Sequence, residues 1–190
     1  MAVRPSTEKR LLDAADELFF TRGIRATSVD DVLERAGVSP ATLYRGYRSK
    51  EELVAAALRR RHNDWLTTWD AALDRAPDDR ARLLAVVDAL DEFQQRPDGS
   101  RWCAFLGTAA EYDDAPAEIA AAVQLDTDTQ RMRLTELARP LVGDGAAAAL
   151  AEQLLLVVSG HLAMRLRGSA TPATREVAAA VVDAAASSAA

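Results

Sequence analysis

Apolar residues recur at helical spacing along almost the whole chain, and this period constrains the fold more than any other feature. The first such segment, residues 6–22, repeats its apolar side chains every three or four residues: Leu11, Leu12, Ala15, Leu18 and Phe19. Capping residues and helix breakers divide the rest of the chain into similar segments. The sequence shows no alternating β-branched runs and no hairpin signals. It therefore predicts an all-α protein of about nine helices.

Composition narrows the class of protein. With 49% apolar residues in 190, the chain has ample material for a core. One cysteine, Cys103, allows no intramolecular disulfide, and the first residues, "MAVRPSTEKR", do not resemble a signal peptide. We also identify no window of about 20 residues apolar enough to span a bilayer. These features predict a cytoplasmic protein without a membrane partner.

The chemistry-bearing residues do not form a catalytic pattern. The chain has no glycine-rich phosphate loop, no metal-ligand spacing, and only two histidines beside its one cysteine. We therefore expect no enzymatic activity, no cofactor and no metal site.

Charge is distributed unevenly. Residues 1–61 hold 12 Lys and Arg against 9 Asp and Glu, a net charge of +3. The remainder has a net charge of −9, and the two sum to the total of −6. A basic head on an acidic body suits a protein that contacts phosphates at one end only.

The segment from Val29 to Tyr47 predicts a helix-turn-helix. Ser28 can cap one short helix, and Gly37 can supply the left-handed backbone that a sharp turn requires. Ser39 and Pro40 then start a second short helix, which Gly46 ends. The exposed side of that helix would carry small and hydrogen-bonding side chains, which suit a DNA major groove.

The stretch "LFFTRGIRATSVDDVLERAGVSPATLYRGYRSKEEL", residues 18–53, resembles the TetR family of bacterial transcription regulators. This resemblance implies a three-helix DNA-binding domain over residues 1–50. It also implies a long fourth helix leading into a ligand-binding and dimerisation domain over residues 51–190, and a homodimer. The family match further implies a set of DNA contacts at Thr27, Ser39, Ala41, Thr42, Tyr44, Tyr47 and Lys50. Arg45 joins that set because a guanidinium can bind phosphate or read guanine.

Aromatic and thioether side chains in the body could line a cavity for a small effector. These residues are Trp65, Trp69, Phe93, Trp102, Phe105, Met132 and Met164, although each of them could instead be ordinary core. Basic residues are sparse among them, and Arg131 or Arg133 could hold at most one carboxylate. We therefore expect a mostly apolar effector.

The last two helices predict a dimer interface. Residues 151–166 are apolar on almost every side of the helix. This apolar surface is larger than a single protomer can bury against one face of the helix. Two copies could form a four-helix bundle across a two-fold axis through Leu154, Val158, Leu162, Val177 and Val181.

Together these features predict a DNA-binding transcriptional regulator, most simply a repressor that its effector releases from a palindromic double-stranded operator. The alternative is a helical ligand-binding or adaptor protein that does not bind DNA. The acidic body permits that alternative, but it leaves the basic head and its correctly spaced caps unexplained.

Overall fold

The computed structural model describes residues 4–96, 103–168 and 173–189. Within these ranges the secondary structure is entirely helical, which confirms the all-α prediction. The helices are α1 (Pro5–Arg22), α2 (Val29–Ala36), α3 (Pro40–Gly46), α4 (Lys50–Asp74), α5 (Asp79–Gln94), α6 (Ala104–Glu111), α7 (Ala117–Leu166) and α8 (Thr174–Ala189).

The described ranges contain eight helical segments, and the longest, α7, comprises two of the predicted helices, which meet at a kink. Pro140 lies inside α7, although proline usually ends a helix. The helical geometry is interrupted instead at Gly143, whose φ of 73° belongs to the left-handed region that favours glycine.

The chain divides into two compact units. The described residues of the first unit are 4–63 and 103–125, and those of the second are 64–96, 126–168 and 173–189. A functional boundary at residue 50 remains a prediction. The two compact units do not divide at residue 50, because α4 and α7 each contribute residues to both units.

The first unit is built around the short helices. Leu11 and Phe19 of α1, Val32 of α2 and Leu43 of α3 are almost completely buried in one core with the first half of α4. Ala104 of α6 belongs to the same core, as does Ile119 of α7. The first unit therefore includes residues more than fifty positions beyond the predicted boundary at residue 50.

The second unit has its own core, formed by the rest of α4, by α5, by most of α7 and by α8. His161 on α7 is 7% exposed, and its Nδ1 lies 2.9 Å from the hydroxyl of Thr174 at the start of α8. This contact holds the beginning of α8 against α7 within the unit.

One described helix, α7, contains an 18-residue window with a mean hydropathy of 1.6, long and apolar enough to cross a membrane by length and composition alone. The expectation that no such window exists was wrong. The same helix places Leu134, Ala138, Leu150 and Leu154 in the core of the second unit. Packing inside the protein therefore explains part of its apolar character, since 33% of that window is buried.

Candidate nucleic-acid interface

A rigid turn positions α3. The Ser28 hydroxyl accepts the Asp31 N–H at 3.1 Å, and the Asp31 carboxylate accepts the Ser28 N–H at 2.8 Å, so α2 begins with a complete capping box. Gly37 ends α2 at φ 63° and ψ 44°, and its N–H returns to the carbonyls of Leu33 and Glu34. Both features agree with the predicted helix-turn-helix, because the turn requires left-handed backbone at this position.

The outer side of α3 carries a connected polar row. The hydroxyls of Ser39 and Thr42 lie 3.0 Å apart, and Arg45 Nη2 donates to Thr42 Oγ1 at 3.2 Å. Arg45 Nε also donates to the carbonyl of Ala41 at 3.1 Å. Ser39, Ala41 and Arg45 are exposed and Thr42 is half-exposed, so the row is open to a partner.

Arg45 keeps its charge available. Among the residues that the structure describes, it forms no ion pair, whereas the neighbouring Arg48 is paired with Glu52. The side chain of Tyr44 is exposed by 55%, which is unusual for a large aromatic ring and leaves it free to contact a partner. The structure thus brings Ser39, Ala41, Thr42, Tyr44 and Arg45 to one exposed region.

Three other predicted contacts are placed differently. Thr27 is 1% exposed, and its hydroxyl donates to the carbonyls of Gly23 at 2.8 Å and Leu18 at 3.2 Å. Its side chain therefore closes the turn after α1 and does not face a phosphate. Tyr47 is 8% exposed, and its hydroxyl donates to Glu8 Oε1 at 3.2 Å. Burial, followed by the charge of Glu8, raises the pKa of Tyr47 to about 12.

Lys50 is half-buried at the start of α4. Its Nζ donates to the carbonyl of Ile24 at 2.5 Å and lies 5.8 Å from the ring centroid of Phe19. An ammonium group has three donors, so two remain for a phosphate after the bond to Ile24. Lys50 therefore links α4 to the turn after α1 and stays a candidate phosphate contact.

Sequence reasoning missed Glu111, the last residue of α6. Its Oε1 accepts the N–H of Ile24 at 2.9 Å, and its Oε2 accepts the N–H of Arg25 at 2.8 Å. The guanidinium of Arg25 lies 5.5 Å from the ring centroid of the next residue, Tyr112. Glu111 thus ties α6 to the turn between α1 and α2. No local motif signals a contact between residues so far apart in the chain.

A buried ion pair was also missed. Arg61 Nη1 on α4 donates to Asp16 Oδ2 on α1 at 2.7 Å, with both side chains about nine-tenths buried. The same guanidinium lies 5.7 Å from the ring centroid of Phe20. These contacts hold the first half of α4 against α1 inside the first unit.

The second unit contains part of the predicted effector site. Trp65 and Trp69 on α4 have ring centroids 5.6 Å apart, and Phe93 on α5 meets Trp65 edge-on at 5.7 Å. The guanidinium of Arg133 on α7 lies 5.0 Å from the ring centroid of Trp69. We call these four residues the aromatic cluster.

The other predicted lining residues are not part of this cluster. Phe105 packs against the core of the first unit. Met132 and Met164 are 53% and 38% exposed on the surface of α7. Trp102 lies outside the described residues. Arg131 is engaged by Glu152 and Asp128. Two other cations lie against the rings of the cluster: Arg133 at Trp69, and Arg96, whose guanidinium lies 5.3 Å from the ring centroid of Phe93.

The predicted dimer residues separate into two groups. Leu154 and Val158 are 1% and 3% exposed and belong to the core of their own protomer. The prediction that they face a second copy was therefore wrong, because α7 turns these positions inward. Leu162 and Val181 are only partly buried, and Val177 is 49% exposed.

Exposed small and apolar side chains instead follow the outer faces of both helices at helical spacing. We call this surface the apolar stripe; it consists of Leu156, Gly160 and Ala163 on α7 and Val177, Ala180 and Ala184 on α8. Leu156 is 74% exposed, an unusual position for a large aliphatic side chain.

Comparison with known proteins gives a consistent family. Residues 11–57 match the model for bacterial regulatory proteins of the tetR family. The chain is 33% identical over 126 residues to the HTH-type transcriptional activator FasR of Mycolicibacterium smegmatis, covering 65% of this chain and 58% of that protein. It is 39% identical over 77 residues to the HTH-type transcriptional repressor KstR2 of Rhodococcus jostii, covering 40% and 38%. These alignments thus span about half the length of the curated relatives or less.

Solved structures of other regulators match most of the chain in fold. A TetR-family transcriptional regulator from Streptomyces coelicolor superposes with a TM-score of 0.82 at 26% identity, covering 98% of this chain and 97% of that one. The reduced form of NemR from E. coli superposes with a TM-score of 0.77 at 21% identity, which shows a shared fold.

Proposed function

The chain belongs to the TetR family of bacterial regulatory proteins, and from this premise we propose that it is a DNA-binding transcriptional regulator controlled by a small effector. The observation that carries this proposal is the exposed polar row on α3, held on a buried three-helix frame. This row combines hydroxyls, a small residue and a guanidinium outside any ion pair among the described residues, the side chains that can contact base edges in a major groove.

In this proposal α3 enters the major groove. Thr42 and Arg45 face base edges, where hydroxyl and guanidinium donors can distinguish base pairs. Ser39 and Ala41 lie at the base edges or the adjacent backbone, and the exposed ring of Tyr44 lies against the phosphodiester backbone. Lys50 adds a phosphate contact from the start of α4.

We further propose a homodimer formed through the apolar stripe. The residues of the stripe recur at helical spacing on α7 and α8 and are mostly small. Gly160 and the alanines therefore permit close approach of a second copy. A two-fold dimer presents two copies of α3, so its operator should be a palindrome with half-sites about 34 Å apart. A monomer would make half of these contacts.

The aromatic cluster is the proposed effector site. Trp65 and Trp69 lie on α4, the same helix that begins with Lys50 in the first unit. A ligand that displaces the second half of α4 would thereby change how the dimer holds its two copies of α3. We propose a mostly apolar effector that releases the protein from its operator, which makes the protein a repressor.

Activation is the second candidate, because FasR, the relative aligned over 126 residues, is named an activator. Either mode places the protein in the cytoplasm, where the chromosome is, and neither requires catalysis or a metal. Groups of three or more potential metal ligands are absent from the described residues.

The test is a gel-shift titration with the protein's own upstream region at fixed salt. The variants Thr42→Ala and Arg45→Ala should each lose about 1–3 kcal/mol of specific binding, and their loss should depend on particular base pairs. Arg139→Ala, an exposed arginine in the second unit, is the matched control and should bind as the unaltered protein does. Undiminished binding by both α3 variants would refute the proposed DNA contact.

A reporter gene under the same upstream region separates the two modes of regulation. Deletion of the regulator should raise expression if it represses and lower expression if it activates.

A further inference from the structure

The aromatic cluster contains buried hydrogen-bond donors that the protein does not use. Trp65 is 5% exposed and Trp69 is 0% exposed, yet neither indole Nε1 has a hydrogen-bond partner among the described residues. Arg133 Nη1 is likewise buried without a partner, while its Nη2 donates to Asp70. Three donors on two helices therefore remain unsatisfied within one group of touching side chains.

Unsatisfied donors are costly in a folded protein. Buried polar groups are almost always paired, because leaving a donor without an acceptor forfeits the hydrogen bonds it makes with water. An isolated exception could be a local imperfection. Here the rings of Trp65 and Trp69 are 5.6 Å apart and Arg133 stacks on Trp69, so the exceptions are clustered.

We propose that the effector carries an oxygen acceptor, a carbonyl or carboxylate on an otherwise apolar and planar skeleton, which the donors of Trp65, Trp69 and Arg133 bind. This inference rests on the proposed function, since it specifies the chemistry of the effector at that site. The aromatic rings recognise the skeleton by stacking and burial. The indole and guanidinium N–H groups recognise the oxygen.

Charge limits the alternatives. A cation would place further positive charge beside the guanidinium of Arg133 and would accept no hydrogen bond. A phosphate ester would bring about two negative charges to the donors of Trp65, Trp69 and Arg133, whose guanidinium Asp70 already pairs with. The second guanidinium, that of Arg96, lies over the ring of Phe93. A plain hydrocarbon would leave every donor unsatisfied.

Four probes of similar shape test the proposal by calorimetric titration without DNA: 2-acetylnaphthalene, 2-naphthoate, 2-ethylnaphthalene and 2-naphthylmethylammonium. At least one of the two acceptor probes should bind about tenfold or more tightly than 2-ethylnaphthalene, and the ammonium probe should bind least. The relative affinities of the ketone and the carboxylate show which source of oxygen the site prefers.

Variants then assign the preference to the donors. Arg133→Met and Trp69→Phe should each reduce the advantage of the acceptor probe over 2-ethylnaphthalene by about fivefold, a loss of about one hydrogen bond. Arg139→Met, on the same helix and outside the cluster, should leave it unchanged. Trp69→Phe also removes volume from the core and could unfold the protein. Arg133 is partly exposed at the edge of the cluster, so Arg133→Met still tests the proposal if the tryptophan variant unfolds.

The proposal is overturned if 2-ethylnaphthalene binds as tightly as both acceptor probes, if none of the probes binds, or if Arg133→Met leaves the preference intact. The gel shift on the upstream region is a separate readout. A protein that binds DNA but shows no acceptor preference contradicts only this inference, whereas loss of DNA binding in the unaltered protein contradicts the proposed function.

Discussion

Glu111→Gln tests the contact between α6 and the turn that precedes α2. The carboxylate accepts two backbone N–H groups, from Ile24 at 2.9 Å and from Arg25 at 2.8 Å. Glutamine keeps one oxygen and replaces the other with an NH₂ group, which is a donor and cannot accept an N–H. The substitution therefore removes one of the two bonds and sets two donors against each other.

The expected cost follows from the geometry. A hydrogen bond to a charged group contributes about 1.5–3 kcal/mol, and the lower end applies here because Arg25 is exposed and its amide can bond to water. We expect the remaining oxygen to bond to the less exposed amide of Ile24. The variant should thus lose about 1.5 kcal/mol, which lowers the midpoint of thermal unfolding by about 3–6 °C in a protein of this size.

Amide hydrogen exchange measured by NMR is the sharper assay because it reports the turn itself. The amides of Ile24 and Arg25 should exchange about tenfold faster in Glu111→Gln, since each 1.4 kcal/mol of opening free energy is a factor of ten. Glu136→Gln is the matched control. Glu136 is exposed and has no hydrogen bond or ion pair among the described residues, so the same change of charge should leave both amides unaffected. Equal exchange rates in the two variants would refute the structural role of Glu111.

Three further perturbations address other parts of the molecule. Tyr47→Phe should reduce the loss of stability between about pH 10 and pH 12, because the folded state keeps the Tyr47 proton to a higher pH than the unfolded state does; parallel stability curves of the variant and the unaltered protein in denaturant across this range would contradict that. Leu156→Glu should raise the dimer dissociation constant about a hundredfold or more, measured by sedimentation, whereas Leu125→Glu, at another exposed leucine of α7, should not. Burial, which is reinforced by Arg165 and opposed by Asp91, lowers the pKa of His161, so stability present above about pH 6.5 should fall on acidification. His161→Gln should flatten that slope in denaturation at pH 7 and pH 5, and an unchanged slope would assign it to another group.

The helix caps and the turn after α2 could be predicted from the sequence, because each depends on residues that are close together in the chain. The capping box of α2 needs only Ser28 and Asp31, three residues apart, and the turn after it needs only the conformational freedom of Gly37. The exposed row on α3 follows from the same short segment. Helical period alone predicted the all-α class, since it depends on the order of side chains and not on their partners.

The identity of the buried faces was less predictable. Periodicity showed that residues 151–166 are apolar nearly all round, but not which side packs inside the protomer. Tertiary structure places Leu154 and Val158 inward and Leu156 outward, because α8 and the remaining core of the second unit cover one side of α7. For the same reason the sequence did not reveal that Tyr47, a DNA contact implied by the family resemblance, lies buried beside Glu8.

Contacts between distant residues were decided only by the tertiary structure. Glu111 meets Ile24, and Arg61 meets Asp16, across 87 and 45 positions of the chain. The donors of Trp65, Trp69 and Arg133 likewise come together only when α4 packs near α7. A sequence pattern records which side chains share a helix face, whereas a hydrogen bond between helices depends on their packing. The sequence by itself thus determined the helices and the exposed polar row on α3, and packing decided what holds that row in place and which buried donors meet in the aromatic cluster.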